Sequence, residues 1–188
     1  MNNKWKMLYN PFEWIAGWKA FVIGIIIVCV TVVVGHLGST YFYGIQVKHI
    51  PDISLLTAFL LQVTGLGITT LIMYLVSVIA AKGVRFQDVL GTVTLARYPF
   101  LLAALAGFLI TSETLDSILN GTKMETQAII QLSVSGIIMM LVIILGVALL
   151  YNAFKVSTNI KGAKGVFLFI LIMILSEIAT ILIVSNCF

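Results

Sequence analysis

Long apolar runs separated by short polar segments form the dominant pattern of this sequence. Five windows carry either no charged residue or a single one: 20–47, 53–81, 89–112, 126–154 and 165–188. A helix needs about 20 apolar residues to cross the hydrocarbon core of a bilayer, and every window reaches that length. The windows do not alternate between apolar and polar residues, as the strands of a membrane β-barrel would. The pattern predicts an all-α polytopic membrane protein.

Five transmembrane helices are predicted in one membrane domain that covers residues 1–188. The spans are expected at about 20–43, 53–81, 87–112, 127–154 and 166–186. The segments between them are too short to bury a core of their own. Residues 1–19 are predicted to lie along the membrane surface, because they carry one apolar stripe at helical spacing between charged positions. The residues of this stripe are Trp5, Leu8, Phe12 and Ile15.

The positions of Lys and Arg predict the orientation of the chain. One side of the membrane collects Lys4, Lys6, Lys19, Lys82, Arg85, Lys155, Lys161 and Lys164, and the other side has Lys48 and Lys123. Cytoplasmic loops carry an excess of these residues, so the N-terminus is expected in the cytoplasm and the C-terminus outside. Aromatic residues should mark both ends of the first span, with Trp14 and Trp18 at its start and Tyr41, Phe42 and Tyr43 at its far end.

Composition and motifs exclude several classes of function. Charged residues make up 10% of the chain, whereas a soluble domain carries about 25%, so a soluble catalytic or nucleic-acid-binding domain does not fit. The sequence has no His-Glu-x-x-His, Gly-x-Ser-x-Gly, Cys-x-x-Cys or phosphate-loop motif. His36 and His49 are not linked by any metal-binding spacing. We therefore expect no enzyme, no cofactor and no metal site.

Pro99 makes the third span the least regular of the five. A proline removes a backbone donor and clashes with the preceding turn, so a helix that continues through it must kink. Two interpretations remain open: one kinked helix over about 87–112, or an interfacial segment over 86–97 with Pro99 starting a shorter span. The segment from Pro99 to Ser112 would rise only about 21 Å against a core of about 30 Å. The kinked crossing is therefore favoured.

Arg97 and Glu177 are the two charged residues inside the predicted spans, and they are the leading site candidates. Charged side chains in a bilayer are costly, so they face the protein interior and have partners. Arg97 comes twelve residues after Arg85, and Glu177 comes twelve residues after Gly165. Because both helices rise from the same side of the membrane, the two side chains are expected at similar depths. The hypothesis is an ion pair between spans three and five, supported by Thr94, Ser176 and Thr180. The main alternative has Arg97 reaching back to the cytoplasmic interface.

A transport route is the second interpretation of the same residues. An unpaired Glu177 inside the membrane would favour its protonated form, which is what a proton or cation pathway requires. Gln62 and Thr69 share one face of span two, and Gln131 and Ser135 share one face of span four, so they could line such a route. The alternative is that these four side chains form hydrogen bonds that hold the helices together.

Four short segments, together with the order of the spans, match the pattern of one known family. They are Asn10-Pro11-Phe12-Glu13-Trp14, Phe86-Gln87-Asp88-Val89-Leu90, Pro99, and Lys155-Val156-Ser157-Thr158 through Lys161-Gly162. The chain resembles the Yip family (Ypt/Rab-interacting proteins), five-span membrane proteins found in eukaryotes and as short bacterial versions. The resemblance is to a short bacterial-type member, which implies the bacterial cytoplasmic (inner) membrane. Eukaryotic members carry a long cytosolic N-terminal region for partner binding, so with only 19 residues there a Rab-type GTPase is not expected as a partner.

The resulting functional hypothesis is a non-enzymatic membrane scaffold or organiser. Its partners would be the lipid bilayer, with anionic lipids or other membrane proteins contacted through a basic cytoplasmic face, and not nucleic acid. This basic face consists of Lys82, Arg85, Lys155, Lys161 and Lys164. The alternative for these five residues is that they only set the topology. The rival functional class is a small transporter or channel for protons, ions or a small solute that uses Glu177 and Arg97.

Overall fold

The computed structural model describes residues 9–121 and 123–187. Its helices are α1 (Gly17–Leu37), α2 (Leu55–Ala80), α3 (Phe86–Leu95), α4 (Phe100–Gly107), α5 (Ser112–Asn120), α6 (Thr126–Thr158) and α7 (Gly162–Cys187). Two strands, β1 (Thr40–Tyr43) and β2 (Gln46–His49), form an antiparallel hairpin between α1 and α2. A short 3-10 turn, Pro11–Glu13, precedes α1.

Five helical segments are long and apolar enough to cross a membrane, which confirms the predicted all-α polytopic membrane fold. Four of them are the continuous helices α1, α2, α6 and α7. The third is made of α3 and α4 together, over Phe86–Gly107. In the described part of the chain α6 extends to Thr158 and α7 begins at Gly162, so both are longer at their predicted cytoplasmic ends than the sequence indicated.

The third span forms the centre of the bundle. In its most apolar stretch 72% of the residues are buried inside the protein, against 22% to 33% in the other four spans. Helix α1 lies almost backbone to backbone against α3, because a Cβ atom on Gly24 would meet the backbone of Leu95 and one on Gly91 would meet that of Gly17. The small residues in these positions allow the close approach.

The sequence-based end of the first span at residue 43 was wrong. Helix α1 ends at Leu37, with Gly38 as its C-cap, and Ser39 turns the chain back with a φ of 51°. The following Thr-Tyr-Phe-Tyr run is β-branched and aromatic, a composition that favours a strand. Tyr41, Phe42 and Tyr43 are buried among the helices and do not form an interfacial aromatic belt.

The third span is one helical segment with a break, the arrangement that the kinked-crossing prediction describes. Between α3 and α4 the amides of Arg97, Tyr98 and Phe100 bond three residues back, the pattern of a tight 3-10 turn around Pro99. The span ends at Gly107 and not at residue 112. Residue 112, predicted as the end of this span, instead begins the short helix α5 (Ser112–Asn120).

The N-terminal segment is anchored in the bundle at its described end. Residues 1–8, including Lys4, Trp5, Lys6 and Leu8, lie outside the described residues. Phe12 is only 1% exposed and packs into the main hydrophobic core, and Asn152 Nδ2 of α6 donates to the Tyr9 carbonyl at 2.8 Å. Phe12 therefore corrects the prediction of a purely interfacial segment: its side chain is a core residue that fixes the segment under the bundle.

Candidate functional site

The hairpin re-enters the bundle, and its tip reaches the middle of the membrane region. The tip is the two-residue loop of Gly44 and Ile45, whose backbone lies against Gly65, because a Cβ atom on Gly65 would collide with the Gly44 nitrogen. Gly65 is ten residues into α2, so the tip lies about 15 Å below the start of that helix. The hydrocarbon core is about 30 Å thick, which places the tip near its centre.

The loop itself requires glycine at its first position. Gly44 has a φ of 60°, whereas Ile45 is not among the residues with positive φ. A positive φ at the first loop residue alone is the pattern of a type II′ hairpin turn, in which glycine avoids the steric cost. A side chain on Gly44 would also collide with the carboxylate of Glu177.

Arg97 binds the carbonyl side of the tip. It lies at the break between α3 and α4, where the broken helix turns its side chain inward, and it is only 2% exposed. Its Nη1 donates to the carbonyl oxygen of Gly44, and its Nη2 lies 3.4 Å from Thr69 Oγ1 of α2. The guanidinium also lies over the ring of Phe100, 5.3 Å from its centroid, as a cation–π contact.

Glu177 binds the amide side of the same tip. Its Oε1 accepts a hydrogen bond from the backbone N–H of Ile45 at 2.7 Å, and its Oε2 lies 3.5 Å from Gln46 Nε2. Glu177 comes from α7, the fifth span, and is half-buried. A carboxylate that accepts from a backbone amide makes a charge-assisted hydrogen bond, which is about twice as strong as a neutral one.

The predicted direct ion pair between Arg97 and Glu177 is corrected by this arrangement. Among the described residues no carboxylate oxygen lies within 4.0 Å of the guanidinium nitrogens. The hairpin tip lies between the two side chains, with its carbonyl on Arg97 and its amide on Glu177, while their opposite charges still attract. The sequence correctly put them at one depth but contained no sign that a third segment separates them. We call this arrangement the hairpin clamp: Arg97, Gly44, Ile45 and Glu177.

The clamp solves a specific problem of membrane structure. Non-helical backbone has amide and carbonyl groups that the segment cannot satisfy by itself, and each costs several kcal/mol in hydrocarbon. Here a cation satisfies the carbonyl and an anion satisfies the amide, so the two charges neutralise each other across the loop. The Arg97 guanidinium is buried and binds the Gly44 carbonyl, which contradicts the alternative in which it reaches back to the cytoplasmic interface.

The polar residues predicted around the charges have different roles from one another. Thr69 is the one that contacts Arg97. Thr94 and Ser176 donate to carbonyls of their own helices, to Leu90 at 2.7 Å and Met173 at 3.1 Å, and so do not support the charges. Gln62 Nε2 and Thr180 Oγ1 are buried without a hydrogen-bond partner in the described part of the protein.

The two polar residues of span four lie away from the clamp. Ser135 Oγ donates to the Ala106 carbonyl at 2.9 Å and so joins α6 to α4. Gln131 lines a polar recess of about 430 Å³ between α5 and the start of α6. The structure therefore does not bring them onto one route with Gln62 and Thr69, and Ser135 matches the interhelical hydrogen-bond interpretation.

The five residues of the basic face lie at one end of the bundle: Lys82, Arg85 and Lys161 in loops, Lys155 in the last turn of α6 and Lys164 in the first turn of α7. Lys82, Arg85, Lys161 and Lys164 are exposed and Lys155 is half-buried. Within residues 9–121 and 123–187 none of them lies within 4.0 Å of a carboxylate. Their charges are therefore free to contact anions, and no acidic side chain of the described regions neutralises them.

Gly44, Ile45 and Gln46 are the site residues that sequence reasoning missed. The signal was present in outline, because Gly38-Ser39 ends the first helix and Gly44 interrupts a run rich in β-branched and aromatic residues. The absence of charge over 20–47 concealed it, since a buried hairpin is as apolar as a membrane helix. For metal binding, the described residues contain no group of three His, Cys, Asp or Glu side chains placed to hold an ion.

Comparison with known proteins adds no family to this picture. No protein-family model matches the chain, and no curated protein or solved structure is significantly similar to it. What is established from the chain itself is an integral membrane protein with five apolar spans.

Proposed function

We propose that this integral membrane protein is a non-enzymatic scaffold or organiser that contacts anionic lipids or other membrane proteins through its basic face. The observation that carries the proposal is that, among the described residues, no carboxylate forms an ion pair with Lys82, Arg85, Lys155, Lys161 or Lys164 at one end of the bundle. Basic residues beside an anionic membrane surface contribute about 1 kcal/mol each. The hairpin clamp supports the proposal, because it commits both intramembrane charges to backbone atoms.

The resemblance to short bacterial-type Yip proteins supports the same interpretation. A five-span protein of that kind would lie in the bacterial cytoplasmic (inner) membrane with the basic face toward the cytoplasm. This location is part of the proposal, and it follows from the resemblance and from the distribution of Lys and Arg.

Quenching of tryptophan fluorescence by brominated lipids tests the contact with anionic lipid. All three tryptophans of the chain lie within its first 18 residues, and the two described ones, Trp14 and Trp18, flank the start of α1, so their emission reports on that end of the bundle. We expect brominated phosphatidylglycerol to quench at much lower mole fraction than brominated phosphatidylcholine. Replacing Lys155, Lys161 and Lys164 with Gln should reduce this preference by up to about 100-fold at low ionic strength, since three charges are lost.

The matched control is the pair Lys48→Gln and Lys123→Gln, which removes positive charge from the opposite side. This control should leave the preference unchanged. If the triple variant keeps the full preference for phosphatidylglycerol, the basic residues only set topology and the proposal is wrong.

A small transporter or channel for protons, ions or a small solute is the second candidate function. It is favoured by one observation: Glu177 is half-buried, and irregular backbone at membrane depth is found where it is enclosed by protein or lines a water-filled cavity. Glu177→Gln keeps the Oε1 acceptor for the Ile45 amide and removes the charge, so the fold should survive.

Proton or ion flux into proteoliposomes separates the two functions. A carrier that uses Glu177 should lose flux in Glu177→Gln while the protein remains folded, whereas the exposed control Glu113→Gln on α5 should keep it. A wild-type flux no greater than that of empty liposomes would reject the transport candidate and leave the scaffold proposal unaffected.

A further inference from the structure

Strand β2 pairs with β1 along one edge, and in the described part of the chain no further strand pairs with its other edge. Helices reach β2 through side chains: Val47 packs beside Phe100 and Gln46 lies beside Glu177. The Ile50 amide bonds to the Ser39 carbonyl, so in this antiparallel register the backbone groups of Val47 and His49 point away from β1. Those outward groups have no hydrogen-bond partner in the described part of the chain. Bare amides of this kind are not stable against hydrocarbon and require water or another polar partner.

The side chains beside this edge are polar from the outer end of the hairpin down to its tip. Lys48 is exposed, and Gln46, two residues nearer the tip on the same face of the strand, is half-exposed. Gln46 Nε2 lies 3.5 Å from Glu177 Oε2, which is half-exposed in turn. A polar strip therefore connects the outer end of the hairpin with Glu177.

One face of β2 is accessible and the other is occupied. Gln46 is half-exposed and Lys48 is exposed, whereas Val47 packs against the apolar cluster of Phe42, Phe100 and Val142 on the opposite face. The accessible polar strip therefore follows Gln46 and Lys48 along β2 as far as Glu177 of α7.

On the inner side of the tip, α2 and α7 carry buried apolar side chains. Met73 lies one turn inward of Thr69 on α2, and Ile172 lies just over one turn inward of Glu177 on α7. Both are fully buried in the main hydrophobic core, together with Leu149 of α6. Water that reached Glu177 from the outer side would meet a dry barrier there.

We propose that the space along β2 is an aqueous half-channel, open to the predicted outer side and ending at Glu177 in the middle of the membrane. Its ligand is water, held by the outward amides of Val47 and His49 and by the free edge of the Glu177 carboxylate. Buried polar groups without a protein partner are the sites where internal water binds. The half-channel gives Glu177 contact with one aqueous phase only. It goes beyond the scaffold proposal, which concerns the opposite end of the protein.

Cysteine accessibility tests the half-channel directly. In a background with Cys29→Ser and Cys187→Ser, single variants Lys48→Cys and Gln46→Cys are reconstituted and treated with a membrane-impermeant cationic methanethiosulfonate. Lys123→Cys and Lys161→Cys mark the two sides of the membrane. Ile178→Cys is the matched control, because Ile178 is next to Glu177 and so at the same depth, but its side chain is 52% exposed on the lipid-facing surface of α7.

Both hairpin variants should react from the side on which Lys123→Cys reacts, with Lys48→Cys the faster. Gln46→Cys should react at least about tenfold faster than Ile178→Cys, since only a thiolate reacts and it forms in water. Reaction of Gln46→Cys at the rate of Ile178→Cys, or from the side of Lys161→Cys, would overturn the proposal.

Hydrogen exchange in nanodiscs provides a second measurement. It uses the wild-type protein, so no substitution can disturb the fold. The amides of Val47 and His49 should exchange with solvent much faster than the paired amides of Tyr41 and Lys48. If all four amides of the hairpin are protected to the same extent, the edge of β2 is dry and the half-channel does not exist.

Discussion

The third span and the last two helices of this bundle differ in continuity and in burial. The third span is broken around Pro99, and 72% of its apolar stretch is buried inside the protein. Helices α6 and α7 are continuous over 33 and 26 residues, and only 22% and 28% of their apolar stretches are buried. Lipid-facing backbone must satisfy its own hydrogen bonds, so it stays helical. At the hairpin tip, where the backbone is irregular, Arg97 and Glu177 provide partners for its carbonyl and amide groups.

Reversing the charge of either clamp residue, Arg97 or Glu177, should lower the stability of the protein more than any other change considered below. Arg97→Glu places an anion against the Gly44 carbonyl, and Glu177→Arg places a cation against the Ile45 amide. A buried charge without a partner costs about 3–5 kcal/mol, so we expect each single exchange to lower the thermal stability in nanodiscs strongly.

The double exchange distinguishes the clamp from a direct ion pair. A direct pair would recover stability when both charges are exchanged. The clamp would not, because each exchanged side chain still faces a backbone group of the wrong polarity. Recovery in the double variant would mean that the hairpin contacts are secondary and that Arg97 and Glu177 stabilise each other directly.

Filling the contact between α2 and the hairpin tip should have the next largest effect. Gly65→Ala places a methyl group against the backbone nitrogen of Gly44. Overpacking of this kind costs about 1–3 kcal/mol, and backbone atoms cannot move aside as a flexible side chain can. Gly67→Ala, two residues along the same helix, meets nothing within 4 Å and should be neutral or stabilising. Equal melting temperatures for the two variants would contradict the close contact between the hairpin tip and Gly65.

Removing the hydrogen bond between α6 and α4 should cost less. Ser135→Ala eliminates the bond to the Ala106 carbonyl, and interhelical hydrogen bonds in membranes contribute about 0.6 kcal/mol on average. Ser133→Ala is the matched control, because the Ser133 hydroxyl is exposed and bonds to its own helix. A destabilisation shared equally by both variants in thermal unfolding would show that Ser135 does not join the helices.

The smallest expected effect concerns the outer end of the hairpin, where burial lowers the pKa of His49 below its ordinary value of 6.5. In the unfolded chain His49 binds its proton more readily, so folding is favoured while the ring is neutral. This contribution is present above pH 6.5 and is lost as the pH falls through the lower pKa of the folded state. The melting temperature of wild type should therefore drop more than that of His49→Gln between pH 7 and pH 5. If the melting temperatures of wild type and His49→Gln fall equally between pH 7 and pH 5, the protonation of His49 is not coupled to folding.

The local pattern of residues was sufficient to predict the membrane spans but not the contacts of the hairpin clamp. The five apolar runs, the break at Pro99 and the similar depth of Arg97 and Glu177 all follow from spacing along the chain, because helix rise converts residue number into depth. The backbone group that each charged side chain binds could not be predicted from this spacing. Gly44 lies 53 residues from Arg97, and Ile45 lies 132 residues from Glu177, so no local pattern relates them.

The sequence by itself determined that this chain enters a membrane, how many times it crosses and which end carries free positive charge. Those properties depend on the transfer of side chains between water and hydrocarbon, which is nearly additive along the chain. Only the tertiary structure decided that residues 40–49 leave the helix and fold back between the spans. A buried hairpin and a membrane helix have the same apolar composition, and the difference lies in whether other segments satisfy the exposed backbone groups. Arg97 and Glu177 do so here, and they can do so only once the bundle has assembled around the tip.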